Sequence, residues 1–135
     1  TNNYIYKRLG KDIIKKRNID GAWSPDLNNI SVLDILSKNI DIASKDLGFD
    51  IKIGLNMNAN SLYQKNKYNY KNFSNERKEK QLTKDEQIDF INSLVEYYNI
   101  LYVEDPLINN DINSFSKIKS KLVSINLDNI NTVKN

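Results

Sequence analysis

Four oxygen-bearing side chains stand where a folded chain could use them together: Asp20, Asn56, Glu104 and Asp128. Asn56, Glu104 and Asp128 each fall at the C-terminal end of a predicted strand, where open α/β sheets and barrels place their ligands. Clustered carboxylates repel one another unless a cation or proton compensates, so a Glu and an Asp beside an amide oxygen suit a hard divalent ion. Asp20 belongs to a separate, Gly-flanked loop and is a fourth candidate. The chain has no His and no Cys. That excludes thiolate nucleophiles, disulfides, zinc-thiolate sites and iron–sulfur clusters, and it removes the commonest acid–base side chain. Any metal would be held by oxygen, which favours magnesium, calcium or manganese. Taken singly, a strand-end Asp or Asn most often caps the next helix or serves a turn. Glu104-Asp105-Pro106, an acidic pair between an apolar strand and a proline, has more of the character of a site.

The elements that must position these groups follow from hydrophobic spacing. Ile5, Tyr6, Leu9, Ile13 and Ile14 predict a helix over 4–17, with Lys15-Lys16-Arg17 at the negative pole of its dipole. Asp20-Gly21-Ala22-Trp23-Ser24-Pro25 reads as an irregular loop, and its lone Trp23 as a core anchor rather than a substrate platform. Ser31 followed by Asp34 resembles a capping box, with the stripe Val32, Leu33, Leu36, Ile40, Ala43, Leu47 behind it and Gly48 as the stop. Ile51, Ile53, Leu55 and Met57 alternate with polar or small residues, giving a strand.

Residues 58–80 are polar, rich in Asn, Lys and Tyr, and aperiodic; they read as a polar loop or a short hairpin excursion. Thr83 with Glu86 forms a second capping box, opening a helix through Ile88, Ile91, Leu94, Val95 and Tyr98. Ile100-Leu101-Tyr102-Val103 suits a parallel strand covered on both faces, ended by Glu104-Asp105-Pro106. Ile112, Phe115, Ile118 and Leu122 predict a helix, and Val123, Ile125 and Leu127 a last strand. Strands alternating with helices imply parallel βα units with right-handed crossovers, and therefore an α/β sheet or part of a barrel.

At 135 residues the chain fits one domain, 1–135. Hydrophobic residues at 39% match a packed fold, while a mean hydropathy of −0.62 reflects polar loops. Twenty basic against 17 acidic residues give a net charge of +3, too weak and mixed for a nucleic-acid footprint. The Tyr- and Lys-rich stretch 63–80 offers basic residues interleaved with aromatics, the pattern of a single-strand binding surface. Glu76 and Glu79 within it favour a solvated loop instead. No apolar run approaches the ~20 residues of a membrane span. The start Thr1-Asn2-Asn3 has neither a signal core nor an initiator Met, which reads as a soluble cytoplasmic chain, processed or excised from something longer.

Together these segments resemble enolase, in the right order from Tyr6 to Thr132. Val103-Glu104-Asp105-Pro106-Leu107 resembles the family's I-E-D-P-F strand end, and Asn110-Asp111 with Phe115 its D-D-W-x-x-W region. Ile53 to Tyr63 is similar to L-D-V-A-A-S-E-F-Y, Lys67-Tyr68 to G-K-Y, Asp20 to Pro25 to E-G-G-F-A-P, and Leu127 to Ile130 to G-D-D-L. The resemblance implies a partial TIM-type barrel of roughly three parallel strands with four helices. It also implies magnesium-dependent dehydration of 2-phosphoglycerate to phosphoenolpyruvate in glycolysis. A metal would neutralise the substrate carboxylate while a Lys removes the C2 proton and a Glu pair assists hydroxide departure.

Carried over by position, Glu104 and Asp128 keep the family's metal-ligand carboxylates, Asn56 replaces the third, an Asp, and Asp20 replaces a catalytic Glu. An amide in place of an anion weakens magnesium binding, or abolishes it if Asn56 cannot substitute. A carboxylate one methylene shorter displaces the reacting oxygen by about 1 Å, which costs on the order of a hundredfold in rate. Ala22 stands where the family has a loop Gly. The family's proton-abstracting Lys, its His-Arg-Ser stretch and a second Lys match positions after the end of this chain, and its mobile-loop His and another Glu positions before Thr1. The expectation is a chain that is inactive alone and is completed by the remainder of an enolase barrel or by another subunit covering its strand edges. The alternative is a non-catalytic enolase-like structural or binding module. The sequence assigns no substrate-binding residue.

Overall fold

The computed structural model describes residues 17–19 and 21–125. Its first helix, α1, runs Asn29–Leu47 and starts three residues earlier than the Ser31 capping box predicts. The cap is Asn28, whose side chain accepts the Ser31 N–H at 2.9 Å. An Asn at this position satisfies an orphan amide as well as a Ser does, so Ser31 is the residue capped rather than the cap. Gly48 ends the helix as predicted, at φ 72°, with its N–H on the Ser44 carbonyl.

A strand, β1, then spans Ile53–Asn56, shorter than the predicted alternation. The excursion 58–80 resolves into a helical turn, α2 (Ala59–Leu62), and a hairpin of β2 (Tyr63–Gln64) with β3 (Lys67–Tyr70). The turn residues Lys65 and Asn66 both have positive φ, as a tight two-residue hairpin turn requires. β4 (Lys80–Leu82) adds to β3 and completes an antiparallel meander. Helix α3 (Lys84–Tyr98) opens on the predicted capping box, with the Thr83 N–H on Glu86 Oε2 at 2.8 Å.

β5 (Ile100–Glu104) lies between β1 and β6 (Leu122–Ser124), parallel to both. Being central, it has both edges paired, and its side chains are buried or half-buried on both faces, which suits its nearly continuous apolar sequence. The helix expected around Ile112 is a 3-10 segment, Asn109–Lys117, kinked at Asp111 (φ −114°). Ile112 is 60% exposed, so it does not serve the packed face. Residues 4–16 of the predicted helix and the end of the last strand, Asn126 and Leu127, fall outside the described residues, as do Asp20 and Asp128, while Arg17 stands in a β-bridge and not in a helix. Trp23 is half-buried and forms a bridge with Arg17.

The core joins the two sheets through α3. Its buried side chains Ile88, Ile91, Leu94 and Val95 belong to one cluster with Tyr68, Tyr70 and Leu82 of the meander and with Ile100 and Val103 of β5. Tyr70, Phe73 and Phe90 pack as an aromatic trio with centroids 4.7 to 5.6 Å apart. One polar chain crosses this core. The Tyr70 hydroxyl donates to Gln87 Oε1 at 2.8 Å, and Gln87 Nε2 donates to the Pro106 carbonyl at 3.1 Å. Gln87 is fully buried, and both ends of its amide are satisfied, as a buried amide must be.

Burial pushes the Tyr70 phenol well above the usual tyrosine range, and Tyr68 moves the same way for the same cause. A phenol that holds its proton more tightly when folded adds stability below its unfolded value of about 10, and that contribution is lost as pH rises through the folded value. Urea midpoints should therefore hold steady up to about pH 10 and fall above it, with Tyr70→Phe flattening the decline. A wild-type profile that stays flat in strong alkali would contradict the burial argument.

Candidate metal site at the strand ends

Register in the parallel sheet decides which side chains meet. Gly54 pairs with Tyr102 and Tyr102 with Leu122; one step on, Asn56 pairs with Glu104 and Glu104 with Ser124. Because side chains alternate between faces, Gly54, Tyr102, Leu122 and Asn56, Glu104, Ser124 form two successive rows on one face. Val103 lies on the opposite face and is fully buried in the core. Strands are spaced by about 4.8 Å, so the Asn56 amide and the Glu104 carboxylate are neighbours at the C-terminal edge. Asn56 is exposed and Glu104 half-buried.

The loops leaving these strands are bonded to one another. Met57 N–H donates to the Glu104 carbonyl at 2.9 Å, Ala59 N–H to the Asp105 carbonyl at 3.1 Å, and Asp105 N–H to the Ser124 carbonyl at 3.0 Å. Asn58 and Asp105 take left-handed backbone (φ 45° and 46°), an uncommon conformation for residues with a Cβ. Each turns the chain sharply just after a candidate ligand. Further out, Asn60 and Asn109 interlock: Asn60 Nδ2 donates to Asn109 Oδ1 at 2.9 Å, and the Asn109 N–H donates to Asn60 Oδ1 at 3.2 Å. The Tyr68 hydroxyl accepts the Ile108 N–H at 3.2 Å, pinning the same loop to the meander.

The donor set fits a hard divalent cation as two of its ligands. Asn56 Oδ1 accepts the Asn58 N–H at 2.9 Å, which leaves an amide oxygen its second lone pair. Glu104 Oε2 accepts the Tyr102 hydroxyl at 3.3 Å, and Oε1 accepts no hydrogen bond among the described residues. Among the described residues no three His, Cys, Asp or Glu gather to hold a metal; Asn56 is an amide, and Asp128 lies outside those residues. The sequence missed Tyr102, Ser124 and Gly54. The signal was present in the two-residue alternation that puts Tyr102 on the Glu104 face.

The basic-aromatic stretch does not form a stacking platform. Tyr68 is fully buried and Tyr70 nearly so, so their rings face the core and are withheld from bases that would need them exposed. No helix among the described residues is long and apolar enough to cross a membrane.

Parallel β strands with helical crossovers, central strand buried and polar groups collected at the C-terminal edge, define a segment of an α/β barrel that does not close among the described residues. Comparison with known proteins gives the particular family. The family described as "Enolase, C-terminal TIM barrel domain" matches residues 3–132, and the chain belongs to it. Among curated relatives it is similar to the enolase of Pyrobaculum aerophilum, with 36% identity over 90% of this chain and 29% of the relative. It is also similar to the enolases of Halorubrum lacusprofundi, at 32% over 82% of this chain and 28% of the relative, and Archaeoglobus fulgidus, at 29% over 90% and 30%. The chain thus spans about three tenths of the length of these relatives.

Both bonds of the Asn60–Asn109 clasp between the two strand-end loops can be removed by one substitution. Asn60→Ala should speed amide exchange at Asn109 by on the order of tenfold, the equivalent of about 1.4 kcal/mol of local opening. Unchanged protection by hydrogen–deuterium exchange would show that the clasp does not hold the loop.

Proposed function

We propose that this chain is the metal-ligand sector of an enolase-type lyase acting on 2-phosphoglycerate in cytoplasmic glycolysis. The observation that carries the reading is the side-by-side placement of Asn56 and Glu104 at the C-terminal edge of a parallel sheet, in a chain of the enolase barrel family. Glu104, Asn56 and Asp128 would hold a magnesium ion, Glu104 and Asp128 by charge and Asn56 by its dipole. A bound magnesium ion stabilises charge developing on the substrate carboxylate. Asp20 would take the place of the Glu that assists hydroxide departure, with its oxygen drawn back by one methylene. The remainder of an enolase barrel would cover the outer edges of β1 and β6, each left with unpaired backbone groups by the described strands.

The 135 residues on their own are expected not to convert 2-phosphoglycerate. Incubated with substrate and magnesium, the polypeptide should give no phosphoenolpyruvate absorbance above background, and appearance of that signal would refute its dependence on the rest of a barrel.

Asn56 favours a second reading, a non-catalytic enolase-like module, because its neutral oxygen already serves the Asn58 turn. The two part on whether the precursor supplies the downstream Lys residues; calorimetric titration tests the site that both readings share. Asn56→Asp should raise magnesium affinity by on the order of tenfold, since an anion replaces a dipole and the Asn58 N–H bonds a carboxylate equally well. Equal affinities would mean that the strand ends do not form one site.

A further inference from the structure

Tyr102 has a position that neither the family assignment nor the ligand set explains. It lies one row below Glu104 on the same face, and its ring stands over Gly54, where an added Cβ would come within 3.3 Å of Tyr102 Cδ1. Any larger residue at Gly54 would press on the ring, so the bare backbone there fits the phenol. From this seat the hydroxyl rises to the ligand row. It lies 3.3 Å from Glu104 Oε2 and 2.5 Å from Ser124 Oγ.

A phenol has one proton and a carboxylate has none to give. If Tyr102 donates to Glu104, then Ser124 must donate to the Tyr102 oxygen. The three groups form one directional chain, Ser124 to Tyr102 to Glu104, across the two strands that carry them. Glutamate has three side-chain torsions, and on a half-exposed strand end it would otherwise sample several rotamers.

We propose that Tyr102 is a positioning residue: its hydroxyl, oriented by Ser124, fixes the Glu104 carboxylate with Oε2 engaged and Oε1 presented to a divalent cation. This rests on the reading of Glu104 as a metal ligand. The orienting step, however, exists without metal and can be measured without it. Partners of this kind, which bond a ligand rather than the ion, commonly govern metal affinity by tenfold or more.

The test uses this chain as wild type, Tyr102→Phe, Ser124→Ala and the double variant. Tyr102→Phe keeps the ring over Gly54 and removes only the hydroxyl. In metal-free protein, side-chain NMR couplings should show a single Glu104 rotamer in wild type and averaging in Tyr102→Phe. Magnesium titrated by calorimetry should then bind about tenfold more weakly to Tyr102→Phe and less severely so to Ser124→Ala. The double variant should be no worse than Tyr102→Phe, because Ser124 acts through the phenol. A single, unchanged Glu104 rotamer in both Tyr102→Phe and Ser124→Ala would overturn the proposal, as would equal magnesium affinities. Should wild type not bind magnesium at all, the ligand reading falls, and the rotamer measurement alone decides the positioning claim. If Tyr102→Phe does not fold, the same two readouts on Ser124→Ala decide it.

Discussion

The pairing between β1, β5 and β6 does not stop where the strands do. Backbone amides of Met57, Ala59 and Asp105 go on bonding to carbonyls of the neighbouring strand or of the loop that leaves it after the regular ladder has ended. Loops that would otherwise wander are thereby held in register at the edge where the polar side chains collect. Left-handed backbone at Asn58 and Asp105 falls on the two non-glycine residue types that accept it most readily, and the cross-strand bonds hold it in place. Removing the cross-strand bonds would release the turns, and with them the aim of Asn56 and Glu104.

Support for this edge comes from outside the parallel sheet. The meander contributes Tyr68, whose hydroxyl takes the Ile108 amide, and Tyr70, which reaches Pro106 through Gln87. The segment 58–80 is polar on average, yet its alternate residues turn inward, and the two tyrosines reach from the hairpin to the loop beyond Glu104. An aromatic with a polar tip suits that task, because its ring joins the core while the hydroxyl satisfies a buried partner.

What the sequence made legible was local. Gly48 as a stop and Thr83 with Glu86 as a start are read correctly because each depends on a few adjacent residues. The parallel sense of β5 follows from its unbroken apolar run. The meander was not legible, since strands of two to four residues are too short to show a period. Ile112, Phe115, Ile118 and Leu122 mix spacings of three and four, so the 3-10 form of Asn109–Lys117 was not legible in that pattern. At the site, Asn56 and Glu104 are brought together as the strand-end argument expects. The bond between Tyr102 and Ser124 was hidden, because it depends on the register between distant strands and not on either strand alone.

The hairpin has a bearing on how quickly the sheet can assemble. β1 and β5 pair residues as far apart in the chain as Ile53 and Ile100, and bringing such distant ends together from the unfolded ensemble is slow because the intervening loop must be closed first. β2, β3 and β4 pair between near neighbours, Tyr63 with Tyr68 and Tyr70 with Lys80. Once that meander has formed, the span between β1 and β5 is no longer a free coil but a compact insert with a short contour. The same polar stretch that interrupts the alternation of strand and helix, once paired, therefore shortens the loop that β1 and β5 have to close.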